Sequence, residues 1–285
     1  MYVAADAGLW KREGLNVELI STKSLAVALP AMTSGEMQFG LLNGPETTSA
    51  QVKGAPLVFV AGAMPKYDFG VYAKGTASKL QDLAGKTVAV TKPGSSTEFA
   101  LRAAMTYYKM ESNSIKVLYA GGVPEALAAV IGGGVADAAV LSPPTNVAAE
   151  KAGLKQVVYV GDLPIRFLDN GLVASSSFAR QHPSSTMAFI SGYVAAIALL
   201  KHDKKQSEAA LAHYADTTDP EALDAGYEAA ARLYEQVPLV TEADVRGALA
   251  EGGEQAAANG DVSSFYDNSF IEKLESDGFI AGLYK

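Results

Sequence analysis

The chain has 285 residues, 49% of them hydrophobic and 19% charged, with a formal net charge of -8 and no cysteine. This is the composition of a folded protein with material for one large or two medium cores. The acidic balance speaks against a nucleic-acid partner, and the missing thiols exclude disulfides, thiolate metal centres, iron–sulfur clusters and a cysteine nucleophile.

In chain order, Ala4 to Glu13 reads as a helix closed by Gly14, and Leu15 to Ile20 as a strand. Ser24 is expected to cap a helix running to Ser34, which Pro30 should kink and Gly35 stop. Met37 to Leu42 is a short buried strand, and Asn43-Gly44-Pro45 is a turn. A helix from Glu46 to Val52 and a strand from Leu57 to Ala61 follow. Tyr67 to Ala73 is the next strand; on it Tyr67 and Phe69 point the same way, toward a ligand or a lobe edge. Leu80 to Leu83 is a turn, Thr87 to Val90 a strand, and Lys92 to Ser96 a loop feeding a helix from Thr97 to Lys109. Next come a strand from Ile115 to Tyr119 and a helix from Pro124 to Ile131 ended by Gly132-Gly133-Gly134. The strand from Ala136 to Leu141 then turns at Ser142-Pro143-Pro144. Val157 to Val160 and Gly171 to Ser175 are the last strands, and from Pro183 onward the pattern is mainly helical. The apolar stretch Tyr193 to Leu200 is far shorter than the ~20 residues of a membrane span.

Strands alternating with helices imply an α/β protein with a mostly parallel sheet covered on both faces. The segment Ala31 to Leu42 is echoed by Ala129 to Leu141, each a short helix, a glycine stop, a small-residue strand and a turn carrying proline. This degenerate repeat points to two lobes built on one plan. In open parallel sheets a ligand lies beyond the carboxyl ends of the strands. The loops there, Thr22 to Leu25, Asn43 to Glu46, Thr91 to Thr97, Gly121 to Val123 and Ser142 to Thr145, are rich in Gly, Ser, Thr and Asn.

The segment Lys92 to Phe99 is the best single site candidate. Its free amides and the helix dipole favour an anion, although the same residues also read as a plain N-cap by Ser95 or Ser96 completed by Glu98. It is no nucleotide loop, because no Gly-x-x-x-x-Gly-Lys-Ser/Thr occurs. Three dispersed histidines, His182, His202 and His213, give no metal set. Ser175, Ser176 and Ser177 lack a nucleophile-elbow context, and Asp137 and Asp169 carry no assignable role. Trp10 reads as core, and Arg166 as a surface residue or a partner for a ligand acid.

Ala4 to Glu18, Ser34 to Gly40, Leu80 to Val90, Gly134 to Ala138 and Phe265 to Phe270, taken in order, resemble the solute-binding proteins of nitrate/sulfonate/taurine-type ABC importers, a group that also includes binders of thiamine pyrimidine precursors. The resemblance implies a type II periplasmic-binding fold of two Rossmann-like lobes with a cleft: residues 1–67 plus 174–285 form lobe one and residues 68–173 lobe two. It places the ligand against Ser24, Leu25, Asn43, Gly44, Ser95, Ser96, Thr97, Gly122, Ser142 and Pro143, to which the strand and loop readings above add Tyr67, Phe69 and Thr91. It implies a monomer without cofactor or metal that hands a small anionic ligand to a membrane permease from the periplasm or the outer cell surface. An enzyme acting on a cofactor precursor is the alternative on the same fold. Gln38 stands where the family usually carries Asp. The family also has a signal peptide and a first strand ahead of the Tyr2 segment, so that strand is expected to be missing from this sequence.

Overall fold

The computed structural model describes residues 1–22, 25–132, 134–214 and 219–285. The first half carries helices α1 (Tyr2–Asp6), α2 (Leu9–Arg12), α3 (Leu25–Ser34), α4 (Gly44–Val52), α5 (Ser96–Tyr107) and α6 (Val123–Ile131). Its strands are β1 (Phe39–Asn43), β2 (Leu57–Met64), β3 (Gly70–Ala73), β4 (Thr87–Val90), β5 (Lys116–Tyr119) and β6 (Ala138–Leu141). After α7 (Thr145–Lys151) come β7 (Lys155–Tyr159) and β8 (Asn170–Ser175). The remainder is helical: α8 (Ser176–Gln181), α9 (Pro183–His202), α10 (Lys204–Tyr214), α11 (Pro220–Leu233), α12 (Glu242–Glu251), α13 (Gln255–Ala258), α14 (Ser269–Ser276) and α15 (Phe279–Leu283).

The chain divides into two α/β units. Unit 1 holds residues 1–65, 166–217 and 230–285; unit 2 holds 66–165 and 218–229. The division thus falls between Pro65 and Lys66 and between Ile165 and Arg166. Residues 166–173 sit with unit 1 because β8 pairs antiparallel with both β1 and β2.

Unit 2 has a five-stranded sheet in the order β5-β4-β6-β3-β7. Strand β4 runs parallel to β5 and β6, whereas β3 runs antiparallel to β6 and β7. The expected mostly parallel sheet is therefore mixed here, and the three-stranded sheet of unit 1, β1-β8-β2, is wholly antiparallel. The reason is topological. The strand with which the chain enters each unit from the other, β3 or β8, lies antiparallel between the two strands of a βαβ crossover, β6-α7-β7 or β1-α4-β2. Small residues let α6 press onto the sheet of unit 2: Ala89, Ala126, Ala136, Ala139 and Ala149 surround Tyr72, Leu127, Val130 and Leu141.

The core of unit 1 is built on α9. Phe189 is stacked between Trp10 (4.8 Å) and Phe39 (4.0 Å), and the Trp10 indole donates to the Phe189 carbonyl at 3.0 Å. A Cβ on Gly192 would lie 2.3 Å from the Trp10 ring, so glycine there lets the indole reach the helix. These contacts bear out the core reading of Trp10. Helix α9 has the length and apolar character of a membrane span, but Phe189, Ile190, Tyr193, Val194 and Ile197 are buried in unit 1.

Two expected elements of unit 1 differ. The helix predicted over Ala4 to Glu13 is split into α1 and α2 by Gly8, which takes a left-handed φ of 63°. Leu15 to Ile20 joins no ladder. It runs without regular structure, its residues alternating between half-buried and exposed, so a strand's side-chain period survives without a strand's pairing.

Candidate functional site

In unit 2, β4, β5 and β6 are neighbours that point the same way, so their carboxyl ends lie side by side. The first two loops beyond them are tied together. Ala120 N–H donates to the Val90 carbonyl at 2.8 Å and Gly121 N–H to the Thr91 carbonyl at 2.7 Å. Gly121 holds φ at 102°, a left-handed conformation that suits glycine, and Gly122 is the N-cap of α6. Asp137 lies at the other end of this sheet. Its carboxylate accepts from Thr87 N–H (3.0 Å), and it pins the start of β4.

The loop from Thr91 to Ser95 is shaped by its own hydroxyls. Thr97, only 3% exposed, accepts from Thr91 N–H at 2.9 Å, and the hydroxyls of Thr91 and Ser95 each lie 2.9 Å from its Oγ1. Lys92 N–H donates to Ser95 Oγ at 3.3 Å. Thr91, Ser95 and Thr97 therefore brace one another. Ser96, at the first turn of α5, and Ser142, after β6, keep half-exposed side chains with no hydrogen-bond partner among the described residues. Pro143 follows Ser142 and is half-buried.

Behind the loop stands a buried carboxylate. Glu98, 6% exposed, accepts from Gly94 N–H at 3.0 Å, from Arg102 at 2.9 and 2.6 Å, and from the Tyr119 hydroxyl at 3.1 Å. Burial pushes its pKa up, but the Gly94 amide, Arg102 and Tyr119 outweigh burial and hold it below the ordinary 4.5. A depressed carboxylate stabilises the folded state above its unfolded pKa, and that contribution is lost as pH falls through the folded value. Between pH 5 and pH 3, Glu98→Gln should therefore lose less thermal stability than the parent chain, as scanning calorimetry at several pH values would measure; equal losses would count against the clamp.

Tyr67 is buried and Phe69 half-buried, but neither lies in a strand, since β3 starts only at Gly70. The strand geometry expected to aim both rings one way is thus not formed. Asp68 between them accepts from the Tyr159 hydroxyl at 2.5 Å.

In unit 1, Asn43 caps α4, its carbonyl oxygen accepting from Glu46 N–H at 3.2 Å while its amide donates to the Asp169 carbonyl at 3.3 Å. Gly44 N–H donates to the same carbonyl at 2.9 Å. Both residues are engaged in holding α4 against the 168–169 backbone. Ser24 and the side chain of Leu25 lie outside the described residues. Gln38, where a family Asp was expected, donates to Gly35 O at 2.6 Å and accepts through its backbone carbonyl from Ser175 N–H.

Arg166 is half-buried and held by two acids. It is paired with Glu235 at 2.8 Å and with Asp244 at 3.0 Å, so its side chain has a structural role within unit 1. Neither this cluster nor the Glu98 clamp was expected. Arg166 and Asp244 are 78 positions apart and leave no local signal. Glu98 and Arg102 carry one, the (i, i+4) order of an acid before a base on a helix. Among the described residues no group of three or more His, Cys, Asp or Glu side chains is placed to hold a metal ion.

Residues 1–206 match the family described as NMT1/THI5 like. The chain belongs to that family. None of the curated proteins matches it in sequence. Solved structures similar to this family member include the periplasmic sulfonate-binding protein SsuA of a sulfonate ABC transporter from Methylobacillus flagellatus KT. It is 18% identical, with a TM-score of 0.77, over 100% of this chain and 91% of that one. The periplasmic aliphatic sulphonate binding protein SsuA from Escherichia coli is 21% identical, with a TM-score of 0.63, over 80% of each chain. A Cys→Ser variant of DSZB in complex with biphenyl-2-sulfinic acid is 13% identical, with a TM-score of 0.68, over 97% of this chain and 95% of that one. At these identities the likeness is one of fold, the α/β fold of periplasmic binding proteins.

Proposed function

We propose that this family member is the solute-binding component of an ABC import system. In this reading it is a periplasmic or surface-anchored monomer that captures a small anion and delivers it to a membrane permease. The observation that carries the reading is the row of strand ends in unit 2, where the starts of α5 and α6 and the unpartnered hydroxyls of Ser96 and Ser142 lie on adjacent loops. Helix starts offer amide donors and a positive dipole end to an anion, and free hydroxyls add directional donors. The sulfonate-binding relatives make a sulfonate the first ligand class to test; a carboxylate or another oxyanion would use the same donors.

The test is titration calorimetry with a short alkanesulfonate. Ser96→Ala should weaken binding by about 1–2 kcal/mol through a lost charge-assisted hydrogen bond, and Ser142→Ala by a similar amount. Thr97→Ala should instead lower the melting temperature, because its hydroxyl braces Thr91. Parent affinity in both serine variants would remove the site from these loops.

The similarity to DSZB, which one of its structures calls a desulfurization enzyme, keeps a catalytic reading in view. This chain has no cysteine, so any chemistry would need another nucleophile. Mass spectrometry of biphenyl-2-sulfinate and of alkanesulfonates after incubation separates the two: recovery of unchanged ligand supports binding alone, and conversion supports the enzyme.

A further inference from the structure

We infer that the site in unit 2 caps the charge of its ligand at one, taking monoanions and rejecting dianions; this rests on the anion-binding reading above. The rim carries almost no charge of its own. Residues 91–97, 120–123 and 142–145 contain a single ionisable side chain, the exposed Lys92. Everything else they present is an amide, a hydroxyl or an apolar group. Such donors can match one delocalised negative charge, but they bring no second full positive charge to the ligand.

The two helix starts are also partly spent. Each carries a carboxylate at its third residue, Glu98 in α5 and Glu125 in α6. Glu98 takes the Gly94 amide for itself. Glu125 folds back over the α6 start, its Oε2 only 2.2 Å from where a Cβ on Gly122 would stand. Both carboxylates sit where the dipole is strongest, and both oppose further negative charge. Arg102 neutralises Glu98, but two of its nitrogens bond Glu98 Oε1, which leaves it committed to that acid. Glu98 is thus a positioning and charge-setting residue: it shapes the loop through Gly94 and fixes the electrostatic limit of the site.

The probe pair is an alkanesulfonate and the alkylphosphonate of the same chain length. The first is a monoanion at every working pH. The second passes from monoanion to dianion near neutrality. The histidines His182, His202 and His213 belong to unit 1. The charged groups on and behind the rim are Lys92, Glu98, Arg102 and Glu125, with the Tyr119 hydroxyl on Glu98; Asp68, two residues ahead of the Gly70 that pairs with Leu141, lies at the same end of the sheet and is held by the Tyr159 hydroxyl.

Calorimetry between pH 6 and pH 9 should give a sulfonate affinity that stays level. The phosphonate affinity should fall about tenfold per pH unit above its second ionisation. Glu98→Gln, which keeps an amide oxygen for Gly94 and uncovers the Arg102 charge, should recover dianion binding several-fold and flatten that fall. Glu125→Gln, an exposed substitution that spares folding, should act in the same direction more weakly. Level sulfonate binding with equally level phosphonate binding overturns the charge limit and leaves the anion-site reading standing. Absence of binding by either probe overturns the site itself, and the inference with it.

Discussion

Arg166→Met is expected to cost about 3 kcal/mol of stability, or roughly 6–12 °C in melting temperature. Asp244 is fully buried. Its carboxylate accepts from Arg166 Nε and Nη2, both at 3.0 Å, and from the N–H and hydroxyl of Thr241 at 2.8 and 2.6 Å. The last two bonds belong to the capping box that starts α12. Arg166 adds Glu235 at 2.8 and 3.3 Å, and first Glu235, then Asp244, raises the guanidinium above its ordinary pKa. One side chain thus ties the start of the second unit 1 segment to α12 and to Glu235. Taking it away leaves a buried carboxylate with only Thr241 for company, which is the costly way to break an ion pair. The Arg166 side chain is 33% exposed, so entering water should soften the loss from the upper end of the roughly 3–5 kcal/mol seen for such pairs. Urea unfolding of Arg166→Met, Asp244→Asn and the double variant would measure it. The double variant should lose clearly less than the two single losses added together. A single-variant loss under about 1 kcal/mol would show that the pair adds nothing net. Sulfonate affinity should stay unchanged in Arg166→Met, because four of the five guanidinium N–H donors are committed to two carboxylates.

Elements set by local rules were legible in the sequence. Val, Ala and Thr runs between glycines became β4, β6 and β8, and the Asn43-Gly44-Pro45 turn became a capped helix start. What depended on partners was not. Leu15 to Ile20 has the alternation of a strand, but a strand exists only against another, and no ladder forms there. The direction of β3 and β8 comes from where the chain enters each unit, which no window of residues encodes. The candidate site divides in the same way. Loop composition points to Ser96 and Ser142, yet which hydroxyls stay free is decided by the mutual bracing of Thr91, Ser95 and Thr97. Asn43 and Gly44 suit a ligand as turn residues at a strand end; the structure shows them occupied by the Asp169 carbonyl, 126 and 125 positions away.

That occupation sets the last expectation: Gly44→Ala should destabilise unit 1 by about 3 kcal/mol. A Cβ on Gly44 would stand 1.9 Å from the Leu168 carbonyl oxygen and 3.0 Å from its carbon. The obstacle is backbone, so no rotamer change relieves it. Either α4 tilts away and loses the Gly44 to Asp169 hydrogen bond, or the 168–169 segment moves and drags on β8, which pairs with both β1 and β2. Gly54 is the internal control. It holds φ at 88°, and a Cβ added there would meet nothing within 4 Å, so Gly54→Ala costs conformational strain alone, about 1 kcal/mol. Comparing the two variants by urea unfolding separates steric from torsional cost at either end of one helix. Hydrogen exchange should localise the first: amides of β8 and of the α4 start lose protection in Gly44→Ala and keep it in Gly54→Ala. If Gly44→Ala proved as mild as Gly54→Ala, the 168–169 backbone would have to yield freely, and Arg166 two residues before it could not be the rigid anchor that its two carboxylates make it.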